Sequence, residues 1–300
     1  MSDLPRFRWA LVWLPVLTIS AVVVLLTALA NMGSAWRPAT CWPDACFCEA
    51  IGAGPLRQPI NTWSNLAFVI VGWLIAAHAT ADRPLRRSYA LLLAFACVAI
   101  GLGSWFYHAS LSFVGQWFDV MAMYLLGVFM ALYAAARLLR EAPRSRRRLL
   151  SEAPRSRRRI LSEAQRSRRR ILSEAPRSRR KPIGDRTFAV GYVIINVALG
   201  VLLIVWPEAR RFVFGALIVV ALLLEAIIHR TPRPAIQARW LIGALAVYVV
   251  AQVIWTLDLN HLVCDPTSVL QGHAVWHVLT AISAGLVYRY YQSEVRMIHG

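Results

Sequence analysis

A small set of polar side chains stands inside segments that are otherwise apolar, and their spacing could support chemistry. Ser104 and His108 are four positions apart, as are His273 and His277, so each pair shares one face of a helix. Asp119 follows the first pair in the next apolar segment. Because an ionisable side chain is costly inside a membrane, each of these residues is a candidate for function.

Three histidines from two helices predict a zinc site with an open fourth position for water. Zinc lowers the pKa of such a water to about 7 and makes it a nucleophile. Asp119 is then suited to accept the proton of that water, or to orient a histidine. Ser104 is suited to donate a hydrogen bond to a developing oxyanion. The alternative is that the histidines only form hydrogen bonds between helices.

The composition predicts an all-α, polytopic membrane protein. Hydrophobic residues make up 58% of the 300 residues and charged residues 16%, against roughly 25% charged residues in soluble proteins. A soluble domain could not bury so much apolar surface. Eight apolar stretches are long enough to span a bilayer, and we expect a seven-helix core preceded by one extra N-terminal helix. The stretches are 9–30, 63–81, 88–108, 117–139, 187–206, 212–229, 239–257 and 270–291.

The distribution of Lys and Arg predicts how these helices are oriented. Most basic residues fall on one side if both termini are cytoplasmic, as the positive-inside rule requires. This topology gathers the five polar residues at the outer face, which is periplasmic or lumenal. We expect residues 1–35 to be a retained anchor, because their apolar run exceeds the about 7–15 residues of a signal peptide. A cleaved signal is the alternative, since Ala28-Leu29-Ala30 resembles a cleavage site.

The basic excess is concentrated in residues 141–184, which separate the two parts of the predicted core, 36–140 and 185–300. This segment holds 16 of the 33 Lys and Arg residues in four copies of an 11-residue repeat, such as EAPRSRRRILS. Prolines interrupt a helical interpretation, so we predict a flexible cytoplasmic connector. Attachment to anionic lipid headgroups is the alternative. No nucleic-acid partner is predicted, because no aromatic residue is interleaved to stack on bases.

Three segments resemble the alkaline ceramidase family. They are QPINTWSNLAF (58–68), SWFYHASLSFVGQWFD (104–119) and WTLDLNHLVCDPTSVLQGHAVWHVLT (255–280). The family belongs to a membrane-hydrolase superfamily that also includes progestin/adiponectin receptors and GPI-anchor remodelling lipases. Its pattern is a Ser-Asn pair, here Ser64 and Asn65, then S-x3-H-x10-D and a late H-x3-H. For the Ser-Asn pair, capping of the helix that it opens and a direct role in the site both stay open.

The resemblance implies a function for the five polar residues. His108, His273 and His277 become the zinc ligands, Asp119 the proton acceptor and Ser104 the partner of the oxyanion. The implied reaction is hydrolysis of the linear amide of a ceramide-like membrane lipid to a sphingoid base and a fatty acid. The alternative is a receptor or signalling protein of the same superfamily, with a structural zinc. A proton-coupled transporter is a third candidate, but we see no inverted repeat between the two halves.

For three acidic residues the sequence suggests a structural role. Relatives in the resembled family bind a structural calcium ion through acidic residues before the Ser-Asn pair. Glu49 matches one of these residues, but Gln58 stands where another carboxylate is expected, which weakens a calcium site. We expect Asp258 to cap a helix end and Glu225 to pair with a neighbouring residue.

Four of the five cysteines fall in predicted outer loops, where an oxidising exterior permits disulfides. We predict a bridge between Cys48 and Cys264. It would tie the loop before the Ser-Asn helix to the loop that leads to His273. A local bridge between Cys41 and Cys46 is the competitor, and the two bridges can coexist. The sequence predicts neither the oligomeric state nor the lipid chain length.

Overall fold

The chain folds into helices. The computed structural model describes residues 4–31, 36–41, 47–79, 85–141, 184–230 and 236–294, and the Arg-rich repeat, Cys46 and His299 lie outside these ranges. No strand forms within the ranges. The helices are α1 (Leu4–Asn31), α2 (Pro59–Ser64), α3 (Leu66–His78), α4 (Arg87–Ser110), α5 (Phe113–Glu141), α6 (Asp185–Val205), α7 (Arg210–His229), α8 (Ala238–Leu259) and α9 (Gly272–Gln292), with a 3-10 turn at Pro207–Ala209.

Six helical segments are long and apolar enough to cross a membrane, which agrees with the predicted membrane fold. They are Pro59–His78, Arg87–Ser110, Phe113–Leu139, Asp185–Val205, Pro207–His229 and Ala238–Leu259. Helix α9 forms where the last span is predicted, but it is not among the six, because it carries polar residues such as His273, His277 and Ser283. In α1, Pro15–Asn31 is a shorter apolar stretch. The count of seven core spans plus one therefore stays a prediction.

The outer helices present apolar surface outwards. Along α6, large apolar side chains are exposed at helical spacing; they are Val190, Val193, Val197, Val201 and Ile204. Contact of such a face with water would be unfavourable, and lipid is the solvent that suits it. Helix α9 has the opposite environment, since it packs between α8, α3 and the short helix α2. His273 and His277 thus lie on the face of α9 that is buried against its neighbours.

Two glycines bring α4 close to its neighbours beside Ser104. A Cβ on Gly101 would lie 2.6 Å from Val69 Cγ2 in α3, and a Cβ on Gly103 would lie 2.8 Å from the Phe118 carbonyl oxygen in α5. Small residues at such crossings allow helix backbones to approach closely in membranes. The end of α4 is therefore fixed against both α3 and α5.

The connection between α4 and α5 is short and sharply turned. Helix α4 ends at Ser110, and Leu111 adopts a left-handed conformation with φ 47°, which is uncommon for a non-glycine residue. The Leu111 N–H donates to the Tyr107 carbonyl oxygen at 2.7 Å. Because α5 starts at Phe113, the last turn of α4 and the first turns of α5 lie at the same end of the bundle.

A buried ion pair lies at the other end of the bundle. Arg137 Nη1 in α5 lies 2.6 Å from Glu225 Oε1 in α7, and each side chain is only 5% exposed. Tyr290 in α9 donates its hydroxyl hydrogen to Glu225 Oε2 at 2.7 Å. Arg137 Nε also lies 3.1 Å from Glu294 Oε2. Glu225 therefore has the neighbouring partner expected from the sequence, and these four residues are called the ion-pair cluster below.

Candidate metal centre and catalytic site

The three predicted histidines converge at the end of the bundle opposite the ion-pair cluster. His108, His273 and His277 are 0%, 3% and 1% exposed, and one nitrogen from each lies within 4.8 Å of the others. The Nε2 atoms of His108 and His273 are 3.2 Å apart. Two ligands on a tetrahedral zinc ion with bonds of about 2.0–2.1 Å are separated by roughly 3.3 Å. The spacing therefore fits shared coordination of one ion.

The N-terminus of α9 is held in place by a carboxylate from α8. Asp258 Oδ2 accepts a hydrogen bond from the His273 backbone N–H at 3.0 Å, and Oδ1 accepts one from the Cys48 N–H at 3.1 Å. A Cβ on Gly272 would lie 2.9 Å from Asp258 Cβ, so the close approach needs glycine. Asp258 thus caps α9, the next helix, and fixes the backbone of a histidine of the centre.

Hydrogen bonds determine which nitrogen of His108 faces the centre. Gln58 Nε2 donates to the Glu49 carbonyl oxygen at 3.1 Å, which leaves Gln58 Oε1 as the atom that lies 2.8 Å from His108 Nδ1. Since an amide oxygen only accepts, His108 Nδ1 carries the hydrogen. The lone pair of His108 Nε2 is then free for a metal ion.

The same argument applies to His277. Ser64 Oγ lies 2.7 Å from His277 Nδ1 and donates to the Asn61 carbonyl oxygen at 2.8 Å. A hydroxyl has one hydrogen, so Ser64 must accept from His277 Nδ1, and His277 Nε2 keeps its lone pair. Such outer partners set the tautomer and the orientation of metal-binding histidines. Ser64 therefore supports a candidate ligand, and Asn65, the N-cap residue of α3, makes no side-chain cap hydrogen bond.

His273 has a different environment. Its ring is stacked on the Phe47 ring, with centroids 3.6 Å apart, and on the Trp276 ring, with centroids 5.2 Å apart. Its Nδ1 atom is buried and has no hydrogen-bond partner among the residues that the structure describes. Aromatic stacking, rather than a side-chain acceptor, thus orients the third histidine.

Asp119 and Ser104 adjoin the histidines, so the structure brings together all five residues selected from the sequence. Ser104 Oγ lies 3.4 Å from His277 Nε2, and Ser104, Asp119 and His277 line the same cavity. Asp119 is half-buried in the first turns of α5. A carboxylate next to the nitrogens of a candidate metal centre can exchange protons with a water there.

Asn65 and Glu49 form hydrogen bonds with backbone groups of the short helix α2. Asn65 Nδ2 donates to the Asn61 carbonyl oxygen at 2.8 Å. The Glu49 carboxylate accepts hydrogen bonds from the Ile60 and Asn61 backbone N–H groups, at 2.7 and 2.8 Å. Burial raises the pKa of the Glu49 carboxyl, and these two hydrogen bonds oppose the rise. Both Glu49 oxygens thus have partners, and among the described residues the histidine centre is the one group suited to a metal.

Sequence reasoning missed several roles. Gln58 was considered only as a departure from a calcium site, although it orients His108. Phe47 was not considered, although it stacks on His273. Nothing in a single sequence signals either contact, because each joins residues that are far apart along the chain.

A disulfide joins Cys48 and Cys264 beside the centre, with a Cα–Cα separation of 5.5 Å. It connects the loop before α2 to the loop that leads into α9. Cys41 is also disulfide-bonded, and Cys97, which is buried, is the free cysteine in the described part of the chain. The loop before α2 and the loop before α9 are thus covalently linked to each other beside the histidines.

Two cavities meet at Asp119. The first, called the apolar cavity, extends from Ser104 and His277 along α9 to Leu222 and Val287. The second, called the polar cavity, is lined by residues that include Gln116, Arg210, Arg211, Gln252 and His273. Five residues line both cavities, so the two spaces are neighbours; they are Asp119, Met123, Phe214, Tyr248 and Trp276.

Comparison with known proteins agrees with this site. A family model described as ceramidase matches residues 58–297, a range that contains all three histidines, Asp119 and Ser104. Among individually curated proteins, none matches the chain. Because the family match covers most of the sequence, the resemblance inferred from the motifs is confirmed, and the chain belongs to the ceramidase family.

Proposed function

We propose that this protein is a zinc-dependent membrane hydrolase that cleaves the amide bond of ceramide-like lipids to a sphingoid base and a fatty acid. Membership of the ceramidase family supports hydrolysis of an amide. The observation that carries the proposal is the centre itself, where His108 and His277 turn free lone pairs towards His273 beside an apolar cavity.

Zinc is the metal that the donor set fits best. Three neutral imidazoles without a thiolate suit a catalytic zinc site that keeps one position open. A bound zinc ion supplies Lewis acidity, which polarises an amide carbonyl and lowers the pKa of a coordinated water. The buried nitrogens of His108, His273 and His277 would hold it, with Gln58 and Ser64 keeping two of the rings in the required tautomer.

Asp119 is the group that moves protons in this proposal. Hydrolysis requires that a water loses a proton and that the leaving nitrogen gains one. A single carboxylate between the centre and the substrate cavities can carry out both transfers in turn. Ser104 donates its hydrogen to ionised Asp119. When Asp119 becomes protonated, the Ser104 hydroxyl is released to donate to the oxyanion that forms at the carbonyl carbon.

The apolar cavity suits a hydrocarbon chain. It follows α9 from His277 to Val287, a length of about 15 Å at the usual helical rise. Beyond that end lies the ion-pair cluster, since Tyr290 and Glu225 come one turn after Val287 and Leu222 on their helices. A lipid chain in this cavity would place its amide beside Asp119, and its headgroup in the polar cavity.

We further infer that the centre faces the outer side of the membrane. The Cys48–Cys264 disulfide lies beside the centre, and such bonds persist in oxidising compartments. The Arg-rich repeat follows the far end of α5, away from Asp119, and basic segments favour the cytoplasmic side.

The direct test is an assay of the purified protein in detergent with ceramides and other N-acyl lipids. We expect release of fatty acid from ceramides, loss of the activity after chelation, and recovery with zinc. Failure to hydrolyse every lipid of the panel by zinc-loaded, folded protein would contradict the proposal.

A further inference from the structure

Two adjacent arginines line the polar cavity. Arg210 and Arg211 are the first residues of α7, and both face the space that Asp119 and His273 also line. The Arg211 guanidinium carbon lies 5.4 Å from the centre of the Trp255 ring. A neutral lipid headgroup would not need two guanidinium groups in this position.

The Arg210 charge is poorly compensated. Its side chain is 12% exposed, and its salt-bridge partner, Glu208 Oε2, is 3.4 Å away on a side chain that is 69% exposed. Its other polar contact is the Pro207 carbonyl oxygen at 3.0 Å. A guanidinium group has five N–H donors, and a largely buried cation is unfavourable unless it is paired. Most of the Arg210 donors are thus left for a ligand.

Arg211 forms no salt bridge among the described residues, and Glu208 is the carboxylate whose charge acts on it. The aromatic neighbour of Arg211 is the Trp255 ring. Its charge acts on His273, and that of Arg210 acts on Asp119. Because two arginines and one aspartate line the polar cavity, its charged side chains carry an excess of positive charge.

A histidine of the centre lines the same cavity. His273 lines it, and its buried Nδ1 atom has no partner in the part of the chain that the structure describes. The polar cavity, with a volume of about 240 Å³ compared with about 90 Å³ for the apolar cavity, thus has both space and unused donors for an anion.

We propose that Arg210 and Arg211 bind an anionic group, a phosphate or a carboxylate, on the headgroup of the lipid whose amide is cleaved. In a sphingoid lipid the headgroup is attached to the carbon next to the one that bears the amide. With the chain in the apolar cavity and the amide at Asp119, the headgroup enters the polar cavity. Paired guanidinium groups bind such oxyanions through charge-assisted hydrogen bonds. This inference extends the proposed function by naming its substrate class as anionic N-acyl lipids.

The test compares ceramide with ceramide 1-phosphate of the same chains, in detergent free of phospholipid. Binding is measured with analogues in which a methylene group replaces the amide nitrogen, and turnover is measured with the parent lipids. The variant Arg210→Gln/Arg211→Gln removes both charges. Arg37→Gln is the control, because Arg37 lies over the Phe113 ring at 4.9 Å and lines neither cavity.

We expect the unaltered protein and the control to bind the phosphorylated analogue about tenfold more tightly than the neutral one, which is about 1.4 kcal/mol. The double variant should lose this preference and keep its affinity for the neutral analogue within about threefold. No preference in the unaltered protein, an equal loss in the control, or equal weakening of both analogues in the double variant would overturn the proposal.

An anionic phospholipid that lacks the amide distinguishes recognition of the substrate headgroup from general binding of lipid phosphates. It should bind more weakly than the phosphorylated analogue, and equal affinity would make the pair a general phosphate site and overturn the proposal. If neither parent lipid is hydrolysed, the proposed function fails. The binding preference then still decides whether Arg210 and Arg211 recognise an anionic headgroup.

Discussion

Buried polar residues lie at both ends of α9, and the two groups differ in how fully their polar atoms are paired with partners. At one end are His108, His273 and His277, and at the other is the ion-pair cluster around Arg137. His277 and Tyr290 are separated on α9 by about 20 Å at the usual helical rise. Both groups are costly to bury, yet of the two only the histidine centre supplies residues that line the apolar and polar cavities.

The ion-pair cluster is saturated with partners. Arg137 Nη1 donates to both oxygens of Glu225, at 2.6 and 2.9 Å, and Tyr290 adds a third hydrogen bond to Glu225. The histidine centre brings one nitrogen of each of three imidazoles within 4.8 Å of the others, and His273 Nδ1 has no hydrogen-bond partner among the described residues. A buried polar group whose atoms all have partners is typical of a structural role. A buried polar group that keeps atoms without partners is typical of a binding site.

The largest expected effect is the loss of catalysis on replacement of a histidine of the centre. His277→Ala removes one of three ligands and should lower kcat/KM for ceramide at least about a thousandfold, or 4 kcal/mol of barrier. His229→Ala is the control, since His229 Nε2 bonds to the Tyr290 hydroxyl at the other end of the bundle. An active His277→Ala enzyme would contradict the assignment of the centre.

Asp119→Asn separates proton transfer from metal binding. The amide cannot accept the proton of water, so kcat should fall by about 10²–10⁴, whereas the metal content should stay unchanged. Parallel kinetics and elemental analysis of the same preparation provide the measurement. A variant that retains full kcat would show that Asp119 is not the proton acceptor.

Arg137→Met tests the structural role of the ion-pair cluster. It leaves Glu225 buried without its cation, and the free energy of unfolding should fall by about 3–5 kcal/mol. The exposed pair Arg86–Asp185, at 2.6 Å, gives the control, because Arg86→Met should cost about 0–1 kcal/mol. Unfolding in detergent measures both. The turnover of the folded Arg137→Met protein should stay unchanged, and a selective loss of kcat would mean that the cluster takes part in catalysis.

Ser64→Ala should have a smaller effect on the metal. It removes the acceptor that holds the His277 tautomer, so metal affinity should fall by about 10–100-fold. Thr256→Ala removes a hydroxyl that donates only to its own helix, at Gln252, and should leave the affinity unchanged. Competition with a chelator measures both constants. Equal affinities in the two variants would argue against an orienting role for Ser64.

The smallest effect is expected from the Arg-rich repeat, which lies outside the described residues. Replacing residues 144–181 with a Gly/Ser linker should leave turnover in detergent nearly unchanged, because the repeat follows the end of α5 that is remote from Asp119. A tenfold fall in kcat of the folded variant, about 1.4 kcal/mol of barrier, would assign the repeat a part in catalysis.

The helices and the five candidate polar residues could be selected from the sequence, because their signals are local. Long apolar runs and ionisable residues within them are both unusual enough to recognise without a partner. The partners were harder to predict. Gln58 and Asp258 support His108 and His273 across the bundle, and hydrogen bonds between distant segments leave no periodic signal. Glu49 was considered as a possible calcium ligand by resemblance, in a site that Gln58 weakens, and the hydrogen bonds that its carboxylate accepts from α2 left no sequence signal.

Metal content is the most direct test of the central claim that three imidazoles form a zinc centre. Elemental analysis of the purified protein, washed with a weak chelator, should find one zinc ion per chain, and His277→Ala should lose it while Arg137→Met keeps it. Full zinc occupancy in folded His277→Ala, or failure of the unaltered protein to bind zinc at all, would contradict the account.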